Sequence, residues 1–131
     1  MSPPSTPGNY ITKAERALSA AQLLLRAEDA DGACSRAYYA MFDAAHAALL
    51  AAGHETPDAM IKTHHTLIAE FGKKLVQGGQ IEAHFGRALN KAEDLRLLAD
   101  YSVELMPLVE AQWMVEQAEA FVAAIKEKFS L

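Results

Sequence analysis

Three polar side chains share one face of an otherwise apolar segment, and they are the first candidates for chemistry. Arg36, Tyr39 and Asp43 follow one another at steps of three and four residues, so they align along one side of a helix. Burying these groups without partners would cost several kcal/mol. Two interpretations therefore stay open: a structural polar ladder in which Arg36 pairs with an acid on a neighbouring helix, or a phosphate or RNA site, since the planar guanidinium matches phosphate oxygens.

A second polar group, Arg96, Asp100 and Tyr101, lies near the end of a later predicted helix. Arg96 and Asp100 are four residues apart and can form an ion pair. If this helix neighbours the one that carries Arg36, the two arginines face one cleft together with carboxylates and tyrosines. An interhelical salt-bridge network is the alternative interpretation.

Lys62 and His64 stand at the start of another predicted helix. The free amides at a helix N-terminus favour anions, and Lys62 would add positive charge there. His64, however, falls on the same apolar stripe as Ile68 and Phe71, which is typical of a histidine that belongs to the core. Both interpretations of His64 stay open.

The sequence predicts no metal site and no cofactor. The histidines never form a His-x-x-x-His or Glu-x-x-His pair, which argues against a di-iron site in a helical bundle. Asp43 and His46 would supply two ligands, but nothing nearby supplies the others. Cys34 has no base near it in sequence, so a nucleophilic thiol is not expected.

Composition excludes several classes of protein. The 131 residues carry a net charge of −5 and a pI of about 5.5, which argues against a broad basic surface for nucleic acid. No apolar run approaches the roughly 20 residues that a membrane span requires. Residues 1–10 lack the basic and apolar regions of a signal peptide, so we expect a cytoplasmic protein.

Apolar periodicity predicts an all-α protein, an antiparallel up-and-down bundle of five helices. The proline-rich residues 1–8 are expected to be a disordered leader, and residues 9–131 to form the bundle. The nearly all-apolar second helix is expected at its centre. The predicted helices span about 9–28, about 33–52, from Thr56-Pro57-Asp58 to the stop at Gly78-Gly79, about 81–101, and 108–129.

Several spaced motifs together resemble the HEPN domain (higher eukaryote and prokaryote nucleotide-binding). The resemblance extends from about Tyr10 to Phe129. It rests on four segments in order: Tyr10-Ile11-x-Lys13-Ala14-Glu15-Arg16, Asp31-Gly32-Ala33-x-Ser35-Arg36-Ala37-Tyr38-Tyr39-Ala40-Met41-Phe42, Lys62-Thr63-His64, and Arg96-x-x-Ala99-Asp100-Tyr101.

This resemblance implies a homodimer that partners a minimal nucleotidyltransferase in a prokaryotic toxin–antitoxin module. Many HEPN members are metal-independent ribonucleases with an Arg, four to six residues, then a His. In them the Arg stabilises the charged phosphorane and the His acts as general acid or base. Arg96 matches that Arg, but Tyr101 and Val103 stand where the His is expected.

Three functions follow as hypotheses. The first is an RNA- or nucleotide-binding module that uses Arg36, Tyr39, Asp43, Lys62, Arg96, Asp100 and Tyr101. The second is a ribonuclease in which Arg96 works with a substitute acid or base, His64 or Tyr101, although a phenol with a pKa of about 10 is a poor base. The third is a non-catalytic dimerisation or interaction module, in which the polar cluster sets the register.

Overall fold

A computed structural model describes residues 6–54 and 64–131, and these residues form helices joined by short connections. No strand occurs in those two ranges, so the prediction of an all-α helical bundle is confirmed. The helices, numbered in chain order, are α1 (Pro7–Arg26), α2 (Ala30–Ala51), α3 (His64–Phe71), α4 (Ala83–Tyr101) and α5 (Leu108–Phe129).

Capping residues place the starts of α1 and α2 earlier than predicted. The Thr6 hydroxyl accepts a hydrogen bond from the Asn9 amide at 3.1 Å, and Pro7 occupies the first turn, so α1 begins two residues before the expected start. In α2 the Asp29 carboxylate accepts from the Gly32 amide at 3.0 Å, and the helix begins three residues early.

The second helix lies at the centre of the bundle, as its apolar composition predicted. It contacts each of the other four helices, and most of its residues are buried. Both α1 and α2 bury alanines completely, among them Ala14 and Ala21 of α1 and Ala37 and Ala44 of α2. Such small side chains let two helices approach closely.

The third helix changes form before it ends. After Phe71 the chain continues as a π-helical turn, Gly72–Val76, which the apolar stripe did not predict. The predicted stop at Gly78-Gly79 is confirmed, since Gly79 adopts a φ of +83°. The predicted start at Thr56-Pro57-Asp58 lies outside the described residues.

The last two helices agree closely with their predicted spans. The fourth helix packs mainly on α2 rather than on its successor α5, which places its polar residues against the centre of the bundle. The predicted seam of α5 is buried at Ala111, Val115, Ala118 and Ile125. Within the ranges 6–54 and 64–131, no helix has both the length and the apolarity to cross a membrane.

Candidate functional site

Arg96 is a buried charged side chain in the middle of α4. It is 8% exposed, and its guanidinium carbon lies 4.9 Å from the ring centroid of Tyr38 and 6.0 Å from that of Tyr39. Its Nη1 is 3.5 Å from Asp100 Oδ2, a long ion pair. Its Nε is buried and bonds to no other group in the described part of the chain. Because buried polar groups are normally bonded, Arg96 keeps capacity for a further acceptor.

Tyr38, whose ring lies next to Arg96, is hydrogen-bonded to a histidine. The hydroxyl of the fully buried Tyr38 is 2.8 Å from His64 Nδ1, and the His64 ring stacks on Phe42 at 4.5 Å. Burial lowers the pKa of His64, and the positive charge of Arg96 lowers it further. His64 is therefore neutral at pH 7 and only partly exposed, and it joins the polar cluster rather than the apolar core alone.

Arg36 and Arg96 reach the same tyrosine from different helices. The guanidinium carbon of the exposed Arg36 lies 5.1 Å from the Tyr39 ring centroid. Both guanidinium groups therefore lie near Tyr39, but of the two arginines only Arg36 lines the groove between α1 and α2 described next. The structural ladder required an acid on a neighbouring helix. Within ranges 6–54 and 64–131 Arg36 forms no ion pair with a carboxylate, although its charge lowers the pKa of Asp43 on its own helix.

A groove of about 550 Å³ between α1 and α2 contains the predicted face of α2. Arg36, Tyr39 and Asp43 all line it, as their spacing predicted. Burial raises the pKa of Asp43 to about 6, while the charges of Lys13 and Arg36 oppose that rise. The residues that line the groove are Tyr10, Lys13, Arg16, Ala17, Ala20, Arg36, Tyr39, Phe42, Asp43, His46 and His64.

Two further predicted site residues, Asp100 and Tyr101, do not line this groove. Asp100 accepts a hydrogen bond from the Ser35 hydroxyl and pairs with Arg96, so it holds α4 to α2. Tyr101 is 78% exposed at the end of α4. Lys62 lies outside the described residues.

Sequence reasoning missed the contribution of α1. Tyr10, Lys13 and Arg16 line the groove opposite α2. The Tyr10 ring stacks at 3.8 Å on His46, which is 1% exposed, and burial lowers the pKa of His46 to about 4. The steps of three between these α1 residues were the available signal, but the same pattern is typical of an ordinary solvated helix face.

No metal site emerges from the described side chains. Ranges 6–54 and 64–131 contain no group of three His, Cys, Asp or Glu residues placed to hold an ion. Cys34 is fully buried, and burial raises its pKa to about 11, with Asp31 and Glu110 adding to the rise. This thiol is therefore not activated as a nucleophile.

Comparison with known proteins identifies the family. A protein named "Putative toxin" from Methanocaldococcus jannaschii is 39% identical over 117 residues, which cover 89% of this chain and 84% of that relative. A second protein of that organism with the same description is 29% identical over 118 residues, covering 89% of this chain and 77% of its own length. A "UPF0332 protein" from Gloeobacter violaceus is 39% identical over 93 residues, covering 71% and 70%. The family model described as HEPN domain matches residues 8–128, and the chain belongs to the HEPN domain family.

Proposed function

We propose that this chain is a toxin-type HEPN module that binds RNA or nucleotides at the α1–α2 groove and at the adjoining cluster around Arg96, which share Tyr39. The observation that carries the proposal is the state of Arg96, a buried guanidinium whose Nε has no hydrogen-bond partner among residues 6–54 and 64–131 and whose ion pair with Asp100 is long, 3.5 Å. The names of the relatives from Methanocaldococcus jannaschii support the toxin class.

A phosphate ligand fits the charges around Tyr39. Guanidinium groups bind phosphate oxygens through paired N–H donors, and Arg36 and Arg96 both lie within 6.0 Å of the Tyr39 ring centroid. Tyr39 is only partly buried, and its ring is of the kind that stacks on an unpaired base. The net charge of −5 opposes binding elsewhere on the surface, so a local site is favoured over a broad one.

The proposal is tested with the variant Arg96→Met. It removes the charge but keeps much of the side-chain length, so the fold should be retained. We expect at least about tenfold weaker binding of a fluorescein-labelled single-stranded RNA, followed by anisotropy, since about 1.4 kcal/mol corresponds to tenfold. Arg87→Met is the matched control, because Arg87 is an exposed arginine of the same helix. Equal affinities for Arg96→Met and Arg87→Met would overturn the proposal.

Metal-independent ribonuclease activity is a second candidate, and His64 favours it. The family motif lacks its histidine here, but α3 brings His64 to Tyr38, on whose ring Arg96 lies. A neutral imidazole at pH 7 suits general acid–base work on a 2′-hydroxyl.

Cleavage of total cellular RNA in EDTA tests this candidate. We expect fragments with the wild type and none with Arg96→Met or His64→Asn. Tyr101→Phe should keep its activity, because Tyr101 is 78% exposed and the substitution removes only its hydroxyl. Cleavage that survives His64→Asn, or that EDTA abolishes, would contradict the His64 mechanism.

The proposal extends to the assembly. We infer a homodimer formed through the apolar surface, defined here as Leu97, Leu98, Tyr101, Val103 and Leu105, all exposed on α4 and the connection that follows it. By resemblance, the partner protein is a minimal nucleotidyltransferase, and both would act on RNA or nucleotides in the cytoplasm. Co-purification of the two chains after co-expression tests the partner.

A further inference from the structure

The groove between α1 and α2 contains more positive charge than its own residues neutralise. Lys13 and Arg16 project from α1, and Arg36 projects from α2. None of the three forms an ion pair with a carboxylate in the described part of the chain. Three cations on one concave surface, in a protein with a net charge of −5, attract an anionic group of small size.

The same groove also contains one acceptor that lacks a donor. Asp43 is half-buried, and no hydrogen bond or ion pair joins it to another residue of ranges 6–54 and 64–131. Removing part of a carboxylate from water without supplying donors costs free energy, and a ligand that supplies N–H groups would offset that cost. The ligand that fits therefore has an anionic end and an N–H end.

A nucleoside phosphate has both ends, and the carboxylate selects among the bases. An ionised carboxylate accepts two hydrogen bonds side by side. Guanine offers two adjacent N–H donors, N1–H and N2–H, on one edge, whereas adenine and cytosine each offer a single amino group. The groove volume of about 550 Å³ lies within the ordinary range of ligand sites, about 300–1,000 Å³.

We propose that the α1–α2 groove binds a guanosine 5′-monophosphate unit, either free or at the 5′ end of an RNA. Lys13, Arg16 and Arg36 bind the phosphate, and Asp43 accepts the guanine edge. The proposal rests on the proposed nucleotide-binding function and names the ligand of that site. It also assigns a role to α1, which the Arg96 motif does not involve.

Calorimetric titration of the full chain with GMP, AMP, CMP and guanosine tests the assignment. We expect GMP to bind about tenfold or more tightly than AMP and CMP, and guanosine to bind weakly because it lacks the phosphate. Arg16→Met should lower the affinities for GMP and AMP by the same factor. Asp43→Asn should lower the affinity for GMP to that for AMP, since the amide offers one acceptor instead of two. Asp94→Asn, an exposed acid of α4, is the control for Asp43→Asn.

Two RNA oligonucleotides that begin with guanosine separate the two sources of the ligand. Tighter binding of the 5′-phosphorylated RNA than of its 5′-hydroxyl counterpart, together with competition by GMP, assigns the groove to an RNA end. Equal RNA affinities with tight GMP binding assign it to the free nucleotide.

Equal affinities for GMP and AMP in the wild type would overturn the inference, as would a GMP preference that survives Asp43→Asn. If RNA binding still depends on Arg96 in that case, the proposed function stands and only the groove assignment fails. If neither RNA nor any nucleotide binds, both fail.

Discussion

Two buried residues of the groove titrate in opposite senses. Burial raises the pKa of Asp43 from 3.8 to about 6, so between these values the folded state holds more of its proton than the unfolded state. Its contribution to the free energy of unfolding therefore falls as pH rises. Burial lowers the pKa of His46 from 6.5 to about 4, with Lys13 adding repulsion, so its contribution rises with pH over that range. Between about pH 4 and pH 6 the two effects oppose each other.

The variant Asp43→Asn should reveal the pH dependence of stability that His46 causes. With the carboxylate removed, we expect the free energy of unfolding to rise by about 1–3 kcal/mol between pH 4.5 and pH 7, while the wild type changes less. At pH 7 the variant should also be more stable than the wild type, because a half-buried charge is gone. Urea unfolding at several pH values measures both effects. Asp94→Asn should follow the wild-type profile, and a profile for Asp43→Asn parallel to that of the wild type would contradict the argument.

The single cysteine is expected to be inert in the folded protein. Cys34 is fully buried, and burial raises its pKa from 9.0 to about 11, with Asp31 and Glu110 contributing. Because the thiolate is the reactive form, this shift alone lowers reactivity about hundredfold near neutral pH. Reaction with an aromatic disulfide reagent should be slow in buffer and rapid in guanidinium chloride. Equal rates in both conditions would show that Cys34 is accessible.

At the scale of elements, Gly72 and Gly86 differ in the space around them that a larger side chain could occupy. A Cβ at Gly72, in the π-helical turn, would meet no atom within 4 Å, whereas a Cβ at Gly86 in α4 would lie 3.2 Å from Val76 Cγ2. Gly72→Ala should stabilise the protein by about 0.5–1 kcal/mol, because alanine restricts the unfolded chain. Gly86→Ala should stabilise the protein by less than Gly72→Ala, or destabilise it. Urea midpoints compare the two, and a larger gain for Gly86→Ala would contradict this packing.

Apolar periodicity predicted the helices better than it predicted their ends and irregularities. The spans of α4 and α5 and the central place of α2 follow from patterns that repeat over many residues. The start of α1 depends on the hydrogen bond from the Asn9 amide to Thr6, a single contact that carries no periodic signal. The π-helical turn after Phe71 depends on a local shift of backbone bonding, which side-chain spacing does not reveal.

The candidate site was predictable where its residues share one helix. The spacing of Arg36, Tyr39 and Asp43 places them on one face of α2 whatever the rest of the fold is, and that face lines the groove. The burial of Arg96 was not predictable, because it depends on aromatic rings that α2 supplies. Lys13 was missed for the same reason, since its role depends on α1 lying beside α2.

At the scale of the whole molecule, the apolar surface lies next to the polar site in sequence. The last turns of α4 carry the polar residues Arg96 and Asp100 and, directly beside them in sequence, the exposed Leu97, Leu98 and Tyr101. Val103 is 99% exposed in the connection that follows. Exposed apolar side chains concentrated in one stretch are typical of an interaction surface, whereas scattered ones are not. A second copy covering this stretch would therefore lie next to the side chains that surround Arg96.

Leu98→Glu tests this assembly because it places a charge where the two copies would meet. We expect light scattering to give twice 14.2 kDa for the wild type and 14.2 kDa for Leu98→Glu at micromolar concentration. Leu23→Glu is the matched control, since Leu23 is a leucine of similar exposure, 60% against 56%, on α1 rather than on α4. A wild-type monomer, or a dimer that Leu23→Glu disrupts and Leu98→Glu does not, would contradict the assigned interface. If Leu98→Glu dissociates the dimer and also weakens RNA binding, RNA binding requires both copies. If RNA binding is unchanged, each copy binds RNA on its own.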